Sequence, residues 1–345
     1  MRVTQLEPEQ GYEELFYCED DATDLRSLIS IHSTKLGPAA GGCRLLDYET
    51  LDDAKVDVQR LSKGMTYKNC AANLPLGGGK SVIIGNKKTP EMMRAFGRFV
   101  NSLNGRYYTA EDVGISPTDM EIASEECNFV AGLESGEYAS GDPSPITAQG
   151  VFRCLERAVK HRLGIETLQG IRVVIQGLGH VGWYLAENLH NAGAKLLVAD
   201  INQDVIDKAV GSFGAEAIAL NDIYSVDADV FAPCALGAIL NHETVPELKI
   251  KVVAGAANNQ LASPEIGDLL RSRDIYYAPD YVVNAGGIIS VAMEILKSDE
   301  ASFIQDRLDN LTTTLDKITE ISNRENIGMH TAADNYVKSR LNSTF

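Results

Sequence analysis

The sequence predicts an α/β protein of two domains, the second built on a doubly wound parallel sheet. Two domains are the expectation for 345 residues. The second half alternates β-branched runs with helical patterns, which is typical of a parallel sheet with crossover helices. Between the halves, residues 135–145 are rich in glycine, serine and proline, which indicates a boundary. We therefore expect a first domain over residues 1–140 and a second over 141–345, with its C-terminal helices free to pack back on the first.

Composition excludes several classes of protein. The net charge of −17 argues against a nucleic-acid or anionic-membrane partner, because both need a basic surface. No apolar run is long enough to span a membrane, and the N-terminus lacks the apolar segment of a secretory signal. The six cysteines are scattered without a C-x-x-C pair, which indicates reduced thiols and no zinc site. We expect a cytoplasmic protein without a metal.

The first half is predicted to alternate strands and helices. Thr89 precedes Pro90 as an N-cap, and Ser116 precedes Pro117 in the same way. Strands are predicted over residues 15–18, 28–32, 81–84 and 106–110, and helices over 51–65, from 90 and from 117.

Two lysines flank a glycine run and suggest a binding cleft. The apolar positions of the helix over 51–65 step by three and four, and Lys68 is the next position on that face. A buried lysine needs a partner or a cavity. Gly77, Gly78 and Gly79 precede Lys80 and let a ligand approach the backbone. Together these features favour a carboxylate-binding cleft with a basic lysine. Either feature alone is more typical of a snorkelling lysine or a simple turn.

A carboxylate pair follows the strand over 106–110. Asp112 is the candidate acid/base, because a carboxylate at the tip of a strand is well placed to face a cleft. Glu111 is expected to be a solvated loop residue. The run over residues 36–44 is rich in small residues, which predicts close backbone approach.

The second half carries a glycine-rich loop in the setting that dinucleotide binding requires. A strand over 171–175 leads to Gly177-Leu178-Gly179-His180-Val181-Gly182, a helix follows, and the next strand ends in Asp200. The glycines allow a tight turn and contact with the pyrophosphate, and the helix N-terminus stabilises its charge. Asp200 is placed to bind the ribose hydroxyls and would repel a 2′-phosphate, so NAD is favoured over NADP. The loop, with His180 and Val181 as non-catalytic members, and Asp200 are predicted to bind the cofactor.

Three further strand runs, over 228–231, 252–254 and 275–277, each end at a loop of small and polar residues. Ligands of doubly wound sheets bind at the carboxyl ends of the strands. The loops over 232–237, 255–259 and 279–287 are therefore predicted to line the nicotinamide half of the site, with Asn258 the chosen residue. Residues 303–338 are helical by pattern and carry no evident chemistry.

Several runs are similar to the amino-acid dehydrogenases of the glutamate/leucine/phenylalanine/valine family. They are residues 36–44, 64–69, 76–80, 111–114, 177–182, 232–237, 255–259 and 278–287. The similarity covers nearly the whole chain and is strongest to the leucine and phenylalanine members. It implies a substrate domain and a Rossmann-type NAD domain with the active site in the cleft between them, in a homo-oligomer. The implied reaction is reversible oxidative deamination of an L-amino acid to a 2-oxo acid and ammonia, with reduction of NAD.

The resemblance also implies roles for individual residues. Lys68 matches the lysine that binds the substrate carboxylate, helped by backbone at Gly41 and Gly42. Lys80 matches the lysine that activates water for attack on the imino intermediate, and Asp112 the aspartate that moves protons to and from the amino group. The remaining cofactor-binding positions are Thr147, Asn258 and Asn284.

The side-chain pocket implied by the resemblance is apolar. Ala40 stands where glutamate dehydrogenases carry a lysine for the distal carboxylate, and Val291 where they carry a polar residue, so glutamate is a poor candidate. Ala110 and Val291 resemble leucine dehydrogenases, whereas Ala40 resembles phenylalanine dehydrogenases. Ile288 is bulkier than the residue usual in either group. We expect leucine and other branched-chain substrates to be preferred, with phenylalanine or another aromatic amino acid, including tryptophan, as the alternative.

A non-catalytic NAD-binding regulatory protein is the alternative from a different class. The presence of Lys68, Lys80 and Asp112 argues against it, because an inactive relative would be expected to have lost at least one of them.

Overall fold

The computed structural model describes residues 1–136 and 138–343, which divide into two compact units. The first unit comprises the described parts of residues 1–143, 288–304 and 340–345, and the second comprises residues 144–287 and 305–339. The sequence predicts a second domain over residues 141–345 whose C-terminal helices can pack back on the first, and the structure groups residues 288–304 and the described part of 340–345 with the first unit. Val291 packs with Ala110 and Ala131, and Arg340 donates a 2.7 Å hydrogen bond to the side chain of Asn73.

The first unit is built on a mixed six-stranded sheet. Its strand order is β1-β2-β3-β5-β4-β6, antiparallel from β1 to β5 and parallel among β5, β4 and β6. The elements that lie wholly in this unit are β1 (Arg2–Leu6), β2 (Glu14–Asp20), β3 (Leu25–Ser33), β4 (Ala39–Leu46), α1 (Leu51–Ala71), β5 (Gly77–Ile84), α2 (Pro90–Asn101), β6 (Tyr107–Ala110) and α3 (Pro117–Ser124). The sequence predicts these strands and helices except β1 and β4; for residues 36–44 it predicts only a close approach of the backbone.

Helices cover both faces of this sheet. On one face α1 contributes Ala54 and Val58 to a cluster with Leu28 and Val82. On the other face α2 and α3 pack against a larger cluster that includes Phe96. The predicted caps are confirmed: Thr89 accepts from the Met92 backbone, and Ser116 forms a reciprocal capping box with Asp119.

The buried face of α1 agrees with the predicted one at Ala54 and Val58 and departs from it at both ends of the helix. Leu51 is exposed and Lys68 is half-buried, whereas Ser62, Thr66 and Asn69 are fully buried. Each of the three has a partner in the sheet: Ser62 bonds Ser30, Thr66 bonds His32, and Asn69 donates to the carbonyl of Gly77. Hydrogen-bonded polar groups can be buried at little cost, so the C-terminal half of the helix packs through polar residues that apolar periodicity could not reveal.

The glycine run before Lys80 is strand, not an open ligand-facing turn. Strand β5 begins at Gly77, and protein atoms occupy the space beside all three glycines. An added Cβ would meet the Ser33 carbonyl at Gly77, Thr66 at Gly78 and the ring of Tyr107 at Gly79. The glycines therefore let α1, β3 and Tyr107 approach the strand closely.

The second unit is built on a parallel six-stranded sheet with the order β12-β11-β10-β7-β8-β9. If the six strands are numbered along the chain and the sheet is followed from β9 to β12, the order is 3-2-1-4-5-6. This is the doubly wound arrangement that the sequence predicts. The elements from the second unit onward, of which α9, α10 and α11 each run partly in the first, are α4 (Ser144–Leu163), β7 (Arg172–Gln176), α5 (His180–Asn191), β8 (Lys195–Ala199), α6 (Gln203–Phe213), β9 (Glu216–Ala217), β10 (Val230–Pro233), β11 (Val252–Val253), α7 (Pro264–Ser272), β12 (Tyr276–Tyr277), α8 (Asp280–Val283), α9 (Gly286–Ile295), α10 (Phe303–Glu325) and α11 (Met329–Ser343).

One predicted loop is partly helical. Residues 279–287 contain α8 and the start of α9, so only the segment between these helices is irregular. None of the helices in the described part of the chain combines the length and apolarity that crossing a membrane needs.

Candidate active site

The first unit places a buried lysine in contact with the candidate acid/base. Lys80 lies on β5 with 6% of its surface exposed, and its ammonium donates a hydrogen bond to Asp112 Oδ2. Asp112 comes two residues after the end of β6. The guanidinium of Arg44, on β4, lies 3.6 Å from the same carboxylate oxygen. One carboxylate therefore faces two cations, each from a different strand.

These cations decide the ionisation of Asp112. Burial alone raises the pKa of this carboxyl, but the charge and hydrogen bond of Lys80 and the charge of Arg44 outweigh burial and hold the pKa below its usual value. Glu111 shows the opposite balance, because burial and the neighbouring carboxylates raise its pKa. The sequence predicts that Glu111 is solvated, but the structure shows it half-buried.

Lys68 lies in the last turn of α1, on the helix that packs over β5. Met65, one turn earlier, reaches Gly41 so closely that an added Cβ there would lie 2.9 Å from its Cγ. A Cβ at Gly41 would also collide with the backbone of Gly79, and a Cβ at Gly42 would collide with Glu111 and Asp112. The predicted close backbone approach in this run is therefore confirmed, and it brings Gly42 against the acid/base residue.

Three of the four predicted pocket residues form one apolar cluster. Ala110 and Val291 are buried together with Ala131, and Ile288 packs against them. Ala40 is also buried, but it lies within the sheet on β4, paired with Tyr108 of β6 and Gly78 of β5. Ala110 is the last residue of β6 and lies two residues before Asp112. The same strand therefore contributes to this apolar cluster, which forms an apolar wall, and leads directly to the carboxylate of Asp112.

A buried carboxylate that the sequence does not single out fixes this wall. Glu294, on α9, accepts hydrogen bonds from the backbone amides of Gly132 and Leu133, and from both the amide and the hydroxyl of Ser140. The helix that carries Val291 is thus tied to the segment that follows Ala131.

The glycine-rich loop of the second unit has the geometry of a dinucleotide cradle. Gly177 has a φ of +94°, and an added Cβ would lie 2.8 Å from Ala235. At Gly182 the Cβ would lie 2.0 Å from the carbonyl of Gly177, whereas nothing lies within 4 Å at Gly179. Gly179 precedes α5 without a side-chain cap among the described residues, so the first amides of α5 are open to an anion.

The acidic residue after β8 faces this loop. Asp200 accepts a 2.6 Å hydrogen bond from the Leu178 amide and a 2.8 Å bond from the Asn202 amide. His180 is the exposed first residue of α5, and Val181 follows it half-buried. The carboxyl end of β10 is adjacent, because the amide of Cys234 donates a hydrogen bond to the carbonyl of Gln176.

The three remaining cofactor candidates lie on the same side of the second unit. Asn284 donates hydrogen bonds to Asn258 Oδ1 at 2.8 Å and to the Ala256 carbonyl at 3.1 Å. Its own Oδ1 is buried and accepts no hydrogen bond from the described residues. Thr147 lies where α4 meets Gly286, whose added Cβ would be 2.6 Å from the Thr147 Cα. A carboxamide such as that of nicotinamide can donate an N–H to this oxygen, so the residues present fit a nicotinamide group.

The sequence does not identify Lys80 or Arg44 as a partner of Asp112. Arg44 lies in the small-residue run over 36–44, but the sequence gives it no role. Strand alternation is the signal available for Arg44, because it lies opposite Val82 of β5, two residues beyond Lys80.

Comparison with known proteins places the whole chain. The sequence model of the Glu/Leu/Phe/Val dehydrogenase dimerisation domain matches residues 15–129, and that of glutamate/leucine/phenylalanine/valine dehydrogenase matches residues 140–209 and 199–341. Leucine dehydrogenase of Geobacillus stearothermophilus is 47% identical over 96% of this chain and 90% of its own length. Phenylalanine dehydrogenase of Caldalkalibacillus thermarum is 44% identical over 96% and 91%. The crystal structure of L-tryptophan dehydrogenase from Nostoc punctiforme superposes with a TM-score of 0.88 at 41% identity, covering 97% of each chain.

The chain belongs to the Glu/Leu/Phe/Val dehydrogenase family. It is an amino-acid dehydrogenase, an oxidoreductase of the class that carries out oxidative deamination. The resemblance, the two-domain α/β fold and the enzyme class that the sequence predicts are thereby confirmed.

Proposed function

We propose that this enzyme catalyses the NAD-dependent, reversible oxidative deamination of an apolar L-amino acid, with leucine and other branched-chain substrates preferred. The observation that carries the proposal is the Lys80–Asp112 contact beside an apolar wall. A paired amine and carboxylate in proton-transfer contact suit a reaction that moves protons on and off nitrogen and water.

Each step has a residue in reach. Asp112, ionised beside its cations, accepts a proton from the substrate ammonium. NAD, when bound, supplies the hydride acceptor. Unprotonated Lys80 then takes a proton from the water that attacks the Cα of the iminium, which gives a carbinolamine. Asp112 returns its proton to the nitrogen of the carbinolamine, the C–N bond breaks to release ammonia, and the hydroxyl proton passes to solvent as the C=O bond forms. The proton left on Lys80 passes to solvent, and Lys68 balances the charge of the substrate carboxylate.

The choice of NAD is supported by the residues around Asp200. Its carboxylate faces the glycine loop, where it can bind a ribose diol and would repel a 2′-phosphate. The next two residues are Ile201 and Asn202, and neither offers the positive charge that a 2′-phosphate needs.

The preference for an apolar side chain is supported by the cluster of Ala110, Ala131 and Val291 with Ile288. A carboxylate in contact with these groups would lose its hydration without gaining a partner, so glutamate is excluded from the proposal. The bulk of Ile288 reduces the space available for a substrate side chain beside this cluster, which favours leucine or valine. The small side chain of Ala40 favours an aromatic substrate, and phenylalanine or tryptophan is therefore the second candidate.

Two further features complete the proposal. A homo-oligomer is supported by the match of residues 15–129 to a dimerisation domain. A reducing compartment such as the cytoplasm is supported by the six cysteines, which are all free thiols and mostly buried.

The test is a comparison of kcat/KM for NAD reduction with L-leucine, L-valine, L-phenylalanine, L-tryptophan and L-glutamate. Preference for leucine or valine by about tenfold or more is expected, since one methylene in an apolar pocket is worth about 1–3 kcal/mol. Ala40→Leu is the matched variant: it should reduce activity with the aromatic substrates and spare leucine. A wild-type preference for phenylalanine or tryptophan would replace the first candidate with the second, and activity with glutamate alone would contradict the apolar pocket.

A further inference from the structure

Asp112 ends a chain of polar contacts that reaches from β4 to α1. Arg44 Nη1 donates a 3.1 Å hydrogen bond to Asp57 Oδ2 on α1, and the hydroxyl of Tyr48 donates to the same oxygen at 2.7 Å. The Nε of Arg44 lies 3.6 Å from Asp112 Oδ2. One guanidinium thus stands between two carboxylates, one on the helix and one at the candidate site.

The arrangement holds Arg44 in place. The side chains of Arg44 and Asp57 are only 20% and 16% exposed, so their contact is poorly screened by solvent. The Nε of Arg44 is buried and has no hydrogen-bond partner among the described residues, so Asp112 is its electrostatic counterpart at 3.6 Å. A planar guanidinium can serve two carboxylates in one fixed orientation, which a lysine ammonium cannot do.

We propose that Arg44 is a positioning residue for the deamination: held by Asp57 and Tyr48, it keeps Asp112 ionised and oriented toward Lys80. This inference rests on the function proposed above. Its chemical logic lies in the two protonation states of Lys80. When Lys80 is a protonated partner, Asp112 has two cations, but when Lys80 acts as a base it is neutral. Arg44 is charged at every working pH, so the carboxylate retains a positive neighbour in both states.

Four titratable groups of the described residues lie around Asp112 besides Arg44, and none of them keeps a positive charge throughout the proposed reaction. Lys80 faces it from β5, and Arg44 and the fully buried Cys43 lie near it on β4. Tyr107 of β6 is fully buried nearby. Glu111 directly precedes Asp112 in the chain, and its carboxylate repels that of Asp112. Among these neighbours Arg44 is the cation whose charge does not depend on the reaction.

The variants that test this are Arg44→Gln, Arg44→Lys and Asp57→Asn, with Arg60→Gln as the matched control. Arg60 donates a 2.8 Å hydrogen bond to the other oxygen of Asp57, but its side chain is 56% exposed. The control therefore removes an equal charge from the same carboxylate on the solvent side. For each full-length protein, kcat and KM for L-leucine are measured across pH together with the melting temperature.

Arg44→Gln is expected to lower kcat at least tenfold with little change in KM. It should also move the acid limb of the kcat/KM profile upward by about one pH unit, because a lost cation within 4 Å makes a carboxylate easier to protonate. Arg44→Lys should return the acid limb most of the way to its wild-type position but restore only part of kcat. Asp57→Asn should give values of kcat and of the acid limb between those of Arg44→Gln and the wild type. Arg60→Gln should match the wild type in both.

The inference is overturned if Arg44→Gln keeps the wild-type acid limb, even where kcat or the melting temperature falls, because that pattern marks a purely structural role. It is equally overturned if Arg60→Gln and Arg44→Gln behave alike. A wild type that reduces no NAD with any amino acid would instead refute the proposed function, and this inference with it.

Discussion

Replacing Gly78 with alanine is expected to destabilise the protein by about 3 kcal/mol, the upper end of the usual range for overpacking. An added Cβ would lie 2.1 Å from both the amide nitrogen and the hydroxyl of Thr66. Ordinary contact begins at 3.4 Å, so α1 would have to retreat from β5 by about 1.3 Å. The hydrogen bonds from Ser62 to Ser30 and from Thr66 to His32 resist that movement.

The assay is urea unfolding at one fixed protein concentration, because association contributes to apparent stability. Gly64→Ala is the control on the same helix, since nothing lies within 4 Å of its added Cβ. That substitution should stabilise the protein by about 1 kcal/mol through helix propensity. If Gly78→Ala unfolds at the same urea concentration as the wild type, the close packing of α1 on β5 is not as described.

Three further outcomes are expected. Asp119→Asn should cost about 1 kcal/mol at pH 7 through the weakened capping box with Ser116 and the lost ion pair with Lys88, and the difference should be smaller at a second pH well below about 4. Burial raises the pKa of Asp119 but Lys88 and Ser116 outweigh it and hold the pKa low, so its stabilisation is present above about pH 4 and is lost as pH falls through the folded-state pKa; equal differences at both pH values would contradict this. Glu294→Ala should cost about 2 kcal/mol in urea unfolding, because buried amides lose their acceptor, and an unchanged midpoint would show that the Glu294 tie carries little stability. A double-mutant cycle of Lys80→Met and Asp112→Asn should give a coupling energy of about 1–3 kcal/mol, whereas additive effects would mean that the two groups do not interact.

The parts of the fold that are governed by local chemistry could be predicted from the sequence. Thr89 and Ser116 cap helices because their side chains bond amides within three residues. The glycine loop and Asp200 keep a spacing that is set by one strand, one turn and one helix. Such signals act within a few tens of residues and need no knowledge of the tertiary structure.

The surroundings of Asp112 could not be predicted in the same way. Asp57 meets Arg44 only because α1 lies across β4 at one particular rotation, and that rotation is fixed by buried polar residues such as Thr66. Apolar periodicity finds Ala54 and Val58 on the buried face but misses its continuation toward the C-terminus of α1, because it treats a hydrogen-bonded threonine as a surface residue. The tie from Glu294 to Gly132 spans 162 positions, and no local pattern marks it.

The central claim is tested most directly by the rate of NAD reduction with L-leucine by the wild type and by Lys80→Ala at the same alkaline pH. The account predicts clear activity in the wild type and a loss of about 10²–10⁴-fold in the variant, the usual contribution of a positioned acid/base group. The variant should keep its fold, as judged by circular dichroism. Near-normal deamination by Lys80→Ala would contradict the assignment of Lys80 and, with it, the proposed mechanism.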